Sequence, residues 1–461
     1  MADQDIDEVF ELFVAGSSVK LNPPLPSGRS VTDFVLTPDR TAVIYRADQD
    51  ADDVFELYRV TFANPGVSTK LNGPLPPGAN VSFNFVVTKD SSSVLYLADE
   101  TTANVLELYR VSFVNPTKST RLNGPLVAGG NVFFRFAETP DSSAVVYFAT
   151  ELDADRVELF RVPFATPRIS TRLSDPLQEG DVDSFVIAPN GLVIVHGLSR
   201  QVPIPGTSFT QFQREIFLCS AVVSGSSTKL NGPFVGTPTP RFVHAFDIRP
   251  DSASVVYTTA DTTGDYRQLY WVPFAAPGMS TRLNGVADDN FLSFFRITPD
   301  GSAVVYAANT KPPLSASSTG GTAVYRVPFT SPGVSTRLSG TPVAGGGVHY
   351  FANAFAVTPD SSAIVYLADE TTDNVLETYR VPFTTPGSST RLNGPIVAGG
   401  SVSSLLGFSI LPDSSGIVYA ADEAVDDVIE LYRSDFSTPG VSTKQNGPLV
   451  AGGNVDGFIV Q

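Results

Sequence analysis

Aspartates stand at alternate positions in the polar segments that follow an Ala-Asp dipeptide. Asp3, Asp5 and Asp7 form one such set, and Asp48, Asp50 and Asp52 another. Alternate carboxylates are how a calcium loop presents hard oxygen ligands. The fit is partial. Glu8 or Asp53 stands where the loop needs glycine, and Arg59 stands where a bidentate glutamate belongs. In a hairpin turn the same side chains accept backbone N–H bonds, and that reading is favoured. No cofactor is expected beyond loosely held calcium.

A second set carries opposite charges. Glu-Leu-Tyr-Arg recurs at Glu56–Arg59, Glu107–Arg110 and Glu430–Arg433. Buried charges of this kind need partners, so an ion-paired or hydrogen-bonded ladder is expected rather than catalysis. Two insertions, 199–215 and 309–323, offer the residues for a distinctive binding site: Arg200, Phe209, Gln211, Phe212 and Lys311. Long loops on a rigid scaffold commonly carry binding. The three histidines, His196, His244 and His349, lack any metal-ligand spacing. Cys219 sits in an apolar stretch and reads as a small buried hydrophobe. Asn80-Val-Ser82 is a glycosylation sequon, meaningful only in a eukaryotic secreted protein. No catalytic residue is singled out.

The elements that position these residues come from one phrase written about every fifty residues. A tyrosine marks its register at Tyr45, Tyr96, Tyr147, Tyr257, Tyr306, Tyr366 and Tyr419, with His196 in the same slot. Such a period identifies a repeat architecture. Within 82–132, "SFNFVVT" reads as strand A, "SVLYLA" as B, "VLELYRVSF" as C and "TRLN" as D, separated by turn residues. Four short strands per unit match a propeller blade, and helical periodicity is lacking throughout. Repeats are expected near 32–81, 82–132, 133–182, 183–243, 244–293, 294–352, 353–406 and 407–454. The terminal fragments 2–31 and 455–461 would share a ninth, incomplete blade, with strands C and D from 2–22 and strand A from 455–461. Eight blades is the alternative. The chain, 1–461, reads as one all-β propeller domain. Strand alternation places every B–C and D–A turn on one face.

Composition agrees with a packed, turn-rich protein: 42% apolar, 17% charged, 37 Gly and 36 Pro. A formal charge of −17 disfavours nucleic acid. No apolar run is long enough for a membrane span. One cysteine excludes an internal disulfide. No signal peptide is visible, and the chain begins in mid-repeat, which suggests a trimmed form.

"ITPDGSAVVY" (297–306), "VYRVPF" (324–329) and "TRLSG" (336–340) resemble the TolB-type, WD-repeat-like β-propeller repeat. The resemblance covers essentially the whole chain. It implies a propeller fold and a periplasmic or secreted location, since such repeats occur in periplasmic binding partners, in gating domains of peptidases and in secreted proteins. Two departures stand out. The turn mostly ends in Asp-Ser, as in TPDS at 139–142 and 358–361, with the family's glycine only at Gly191 and Gly301, and the closing triplet is mostly R-L-N or K-L-N. The α/β domain of TolB and the G-x-S-x-G elbow of a hydrolase do not occur in the sequence.

Copies two and seven agree at 15 of 18 positions over 96–113 and 366–383. Near-identical blades carry near-identical loops, which suits repeated weak binding or scaffolding better than catalysis. A non-catalytic, monomeric binding or scaffold propeller with a protein or glycan ligand is therefore expected, its binding face carrying the B–C turns. The alternatives are a lyase or glycoside hydrolase at the channel mouth, with carboxylates roughly 5–10 Å apart, and an envelope structural protein stiffened by divalent cations. Melting with and without EDTA tests the cation idea: a bound ion predicts a lowered midpoint, and an unchanged midpoint removes it.

Overall fold

The computed structural model is all β, built from eight four-stranded antiparallel sheets of propeller type, each ordered A-B-C-D along the chain. It describes residues 1–460 apart from 18, 117, 204–209, 234–240, 262–267, 286–291, 310–321 and 350–353. Blades 1 to 8 span 31–70, 81–121, 132–172, 181–229, 241–282, 292–337, 355–391 and 408–444. Among the described residues no helix is long and apolar enough to cross a membrane. The molecule divides into two compact units. One holds 1–229 and 448–453, the other 230–447 and 454–461, with four blades in each.

The A–B turn shows why the TPDS phrase repeats. In blade 3 the Thr139 hydroxyl donates to Asp141 at 2.6 Å, and Asp141 accepts the Ser143 amide at 3.2 Å. These hydrogen bonds hold the Asp141 carboxyl down at about 2. The fourth residue of the turn takes a left-handed φ, 56° at Ser91 and 55° at Ser142, and glycine fills that position at Gly191 and Gly301. The two glycines of the sequence comparison therefore mark one backbone conformation, reached elsewhere by serine and in blade 1 by Arg40, at a φ of 59°.

Each sheet is apolar on both faces, so each needs a neighbour on both sides. Leu95, Leu97 and Leu108 of blade 2 meet Val132, Val145 and Tyr147 of blade 3 in one buried cluster. Equivalent clusters join blades 1 and 2, 3 and 4, 5 and 6, 6 and 7, and 7 and 8. Fully burying one leucine contributes about 1.5–3 kcal/mol. The strand-B tyrosine stacks on the aromatic opposite it in strand C, at 5.7 Å for Tyr96–Tyr109 and 6.0 Å for Tyr147–Phe160.

A glutamate then locks blade to blade. The Tyr147 hydroxyl donates to Glu151 at 2.6 Å and the Ser170 hydroxyl at 2.5 Å, both from blade 3. The same carboxylate accepts the Gly124 amide, at the end of blade 2, at 2.8 Å. Tyr96, Glu100 and the Gly73 amide repeat this between blades 2 and 1, with Tyr96 at 2.5 Å and Gly73 at 2.9 Å. Burial pushes the Glu151 carboxyl up, opposed by hydrogen bonds from Ser170, Tyr147 and Gly124.

The strand-C charges find different partners from one another, because residues three apart on a strand face opposite sides. Glu107 pairs with Arg121 of strand D at 2.6 Å, Glu377 with Arg391 at 2.9 Å, and Glu56 with Lys70. The arginines lie over a phenylalanine of the next blade: Arg59 over Phe113 at 4.9 Å, Arg110 over Phe164 at 4.5 Å and Arg380 over Phe436 at 4.7 Å.

The amino-terminal fragment keeps these contacts at reduced scale. Ala2 bridges Glu11 and Phe13 bridges Lys20, the pairings made by Ala98–Glu107 and Tyr109–Arg121 in blade 2. The fragment thus includes the last residue of a strand B, besides the expected C and D pairings. Residues 448–453 lie in the same unit, and a Cβ at Gly453 would come 2.6 Å from the Asp3 carbonyl oxygen. Residues 456–460 form no strand, where the sequence suggested a strand A over 455–461.

His196 tests the tyrosine column. It is 2% exposed, stacks on Phe217 at 5.7 Å and lies 3.3 Å from the Ser227 hydroxyl. Burial lowers its pKa to about 4. An unfolded histidine titrates near 6.5. As pH falls from about 6.5 to 4 the unfolded chain takes up a proton that folded His196 does not, so stability is lost in that window. His196→Tyr is expected to remove on the order of 3 kcal/mol of that acid loss, measured by denaturant titration at stepped pH. Equal pH slopes in both proteins would contradict this.

Candidate functional site

In blades 1 to 6 strand A pairs with strand B through a bulge that differs between blades, whereas the short strands A of blades 7 and 8 pair without one. In blade 1 the pairing steps from Val31–Ala47 to Asp33–Arg46, one extra residue on strand A. Blades 4, 5 and 6 do the same. In blade 2 it steps from Val81–Ala98 to Phe85–Tyr96, and in blade 3 from Val132–Ala149 to Phe136–Tyr147, two extra residues each. The spacing reads Val-x-x-x-Phe in these two blades and Val-x-x-Phe in blades 1, 4 and 5. Bulges re-aim side chains and gather beside functional sites.

Here the wider bulges leave Phe83 of blade 2 and Phe133 and Phe134 of blade 3 exposed. Phe83 is 56% exposed and Phe134 52%, and their rings stack at 5.4 Å with 18° between planes. They border a cavity of about 520 Å³ in the first unit, with Asn80, Asn104, Asn131, Asp99 and Arg46 also on its wall. Its position is the B–C and D–A end of blades 2 and 3, since Asn80 and Asn131 end D–A turns and Asn104 lies in a B–C turn.

The charged wall residues are engaged. Asp99 is buried, and its two oxygens accept the Asn80 amide at 2.7 Å and the Asn104 amide at 2.8 Å. Arg46 lies over the Phe55 ring at 4.0 Å, donates to the Val81 carbonyl at 2.7 Å and pairs with Asp33 at 3.4 Å. The asparagines hold the frame through their side-chain oxygens: Asn80 accepts the Phe55 amide at 2.7 Å and Asn131 the Leu106 amide at 2.9 Å. Their side-chain NH2 groups make no bond among the described residues.

The sequence-derived candidates lie elsewhere. The first insertion is no irregular loop: strands B (Val193–Pro203) and C (Thr210–Ser220) of blade 4 run on into one long hairpin. Gln201 faces Phe212 and Val202 faces Gln211 across it. Ladder hydrogen bonds continue into the inserted residues because the alternation of the flanking strands does. Arg200 pairs with Glu215 at 3.1 Å, and Phe212 is 40% exposed. At the hairpin base Arg214 pairs with Asp183 at 2.8 Å, and the Ser199 hydroxyl donates to Asp183. Phe209 and Lys311 lie outside the described residues.

The candidate calcium carboxylates are engaged in part. Asp48 accepts the Ser30 amide at 2.9 Å, Asp50 pairs with Lys70 at 3.6 Å, Asp5 pairs with Lys20 at 2.6 Å, and Asp3 accepts the Glu8 amide at 3.3 Å. Asp7 lies beside Gly452, and Asp52 is exposed. Among the described residues no group of three or more His, Cys, Asp or Glu side chains is placed to hold a metal ion. Cys219 is buried, and burial pushes its thiol up to about 12.

No protein-family model matches the sequence. No curated protein is detectably similar to it. Among solved structures, the Agrobacterium tumefaciens protein described as "putative TolB" is similar at 14% identity and a TM-score of 0.33, over 55% of this chain and 79% of that one.

The asparagine roles separate by mutation. Asn80→Ala removes the acceptor of the Phe55 amide and is expected to cost about 1–2 kcal/mol. Asn104 has a φ of 66°, so Asn104→Gly is expected to stay within about 0.5 kcal/mol of the parent. Urea unfolding of both variants checks the pair, and equal losses would contradict it.

Proposed function

We propose that the protein is a non-catalytic binding or scaffold propeller whose ligand docks at the B–C and D–A end of the blades. One observation carries the reading. The repeat is broken at two adjacent blades by a wider bulge, and both bulges present an exposed phenylalanine to the same cavity. A concave site with apolar walls and a few polar groups is the usual form of a small-ligand pocket. The acidic residues of the repeat support the same reading, since Glu100, Glu151 and Asp99 are taken up by bonds inside and between blades.

The long hairpin of blade 4 leaves its sheet from the B–C end as well, and belongs to the same unit. It is a second contact element for a large ligand, with Arg200, Gln211 and Phe212 along it. The resemblance of the repeat to TolB-type sequences makes a periplasmic or secreted location the one to test.

A mixed glycan and peptide array probed with the full chain decides the matter. Two controls are Phe83→Ala/Phe134→Ala and a variant in which 202–211 is replaced by Asn-Gly, a two-residue hairpin turn. The reading predicts array binding that at least one variant loses while its melting midpoint is kept. Binding retained in full by both variants, or no binding at all, would sink it.

A further inference from the structure

The chemistry of the Phe83–Phe134 cavity narrows the ligand, on the reading that this cavity is the binding site. Its charged groups are already matched: Asp99 by two backbone amides, Arg46 by Asp33 and by the Phe55 ring. An ionic ligand would find no unmatched counter-charge on this wall, and a net charge of −17 further disfavours an anion. What remains is neutral. Two exposed phenylalanine rings lie nearly parallel and stacked on each other, 5.4 Å apart with 18° between planes, and the side-chain NH2 groups of Asn80, Asn131 and Asn104 are left as donors.

An extended peptide adding to the strand-A edge would need an even ladder of N–H and C=O groups. The two-residue bulges interrupt that ladder at the cavity. A sugar ring suits the site better. Its axial C–H face is apolar and can lie flat on a phenylalanine ring, while its rim hydroxyls accept from amide NH2 groups. We infer that the cavity between blades 2 and 3 takes a neutral saccharide, packed against the exposed surface of the Phe83–Phe134 pair and hydrogen-bonded by Asn80, Asn104 and Asn131.

Native affinity electrophoresis tests this with the full chain, which is mobile because it is strongly acidic. The probes are soluble neutral polysaccharides cast separately in the gel (a β-glucan, a mannan, a xylan and a galactan), with polygalacturonate as the anionic contrast. At least one neutral polymer should retard the chain and polygalacturonate should not. Phe83→Ala/Phe134→Ala should weaken the retardation at least about tenfold, and Asn104→Gly roughly tenfold, the scale of one lost hydrogen bond. Both phenylalanines are exposed, and a melting curve of each variant confirms its fold. No retardation by any neutral polymer, retardation that the double variant keeps, or equal retardation by polygalacturonate would overturn the inference. Pocket-dependent binding to peptides alone on the array would also overturn it, while leaving the binding-module reading standing. Array binding that ignores both the phenylalanines and the hairpin would remove that reading too.

Discussion

A carboxylate of one blade reaches back to a backbone amide of the blade before it. Glu100 and Glu151 each make this bond, to Gly73 and Gly124, and each is held in place by the tyrosine and serine of its own blade. Apolar burial alone presses sheets together without fixing how one slides on the next. A directional bond to a single amide supplies that register. The carboxylate, buried at Glu151 and half-buried at Glu100, would be costly to leave unmatched, so tyrosine, serine and glycine recur with it. The fifty-residue period is in this sense the length of chain needed to bring one such set to the next.

The charges of strand C follow the same economy. Glu107 takes the arginine of strand D, and Arg110 takes an aromatic face of the following blade. The repeated polar residues thus serve cohesion. Chemistry directed outward has to come from positions where the repeat is interrupted. The widened bulges of blades 2 and 3 and the long hairpin of blade 4 are such positions, and all lie in one unit. At the bulges the backbone gains a residue, the pleat loses phase, and an aromatic faces solvent.

Much of this was legible in the residues. The tyrosine register located eight sheets, and the expected start of each copy lies within a few residues of its strand A. The acidic turns were read as acceptors of backbone amides, which Asp48, Asp99 and Asp369 are. Other features were hidden for physical reasons. A glutamate in a motif does not reveal that its partner is an amide some 27 residues earlier, because backbone donors leave no mark in a sequence. The insertion at 199–215 looked like a loop, since Pro203, Pro205 and Gly206 dominate its middle, yet its flanks alternate well enough to continue the strands. Phe83 reads in the sequence as an ordinary strand residue of "SFNFVVT". The signal was present in the Val-x-x-x-Phe spacing, one residue longer than in blades 1, 4 and 5, and shows only when copies are compared for their differences.

Amide hydrogen exchange at Gly73 measures the carboxylate lock directly. Gly73 is buried at the end of blade 1, and its N–H donates to Glu100 of blade 2 at 2.9 Å. In Glu100→Ala this amide should exchange at least about tenfold faster, as expected for a lost charge-assisted bond, while the strand-B amides of blade 2 stay protected. Unchanged exchange at Gly73 in the variant would contradict an inter-blade bond, and uniform loss of protection across blade 2 would show that the glutamate holds its own sheet instead.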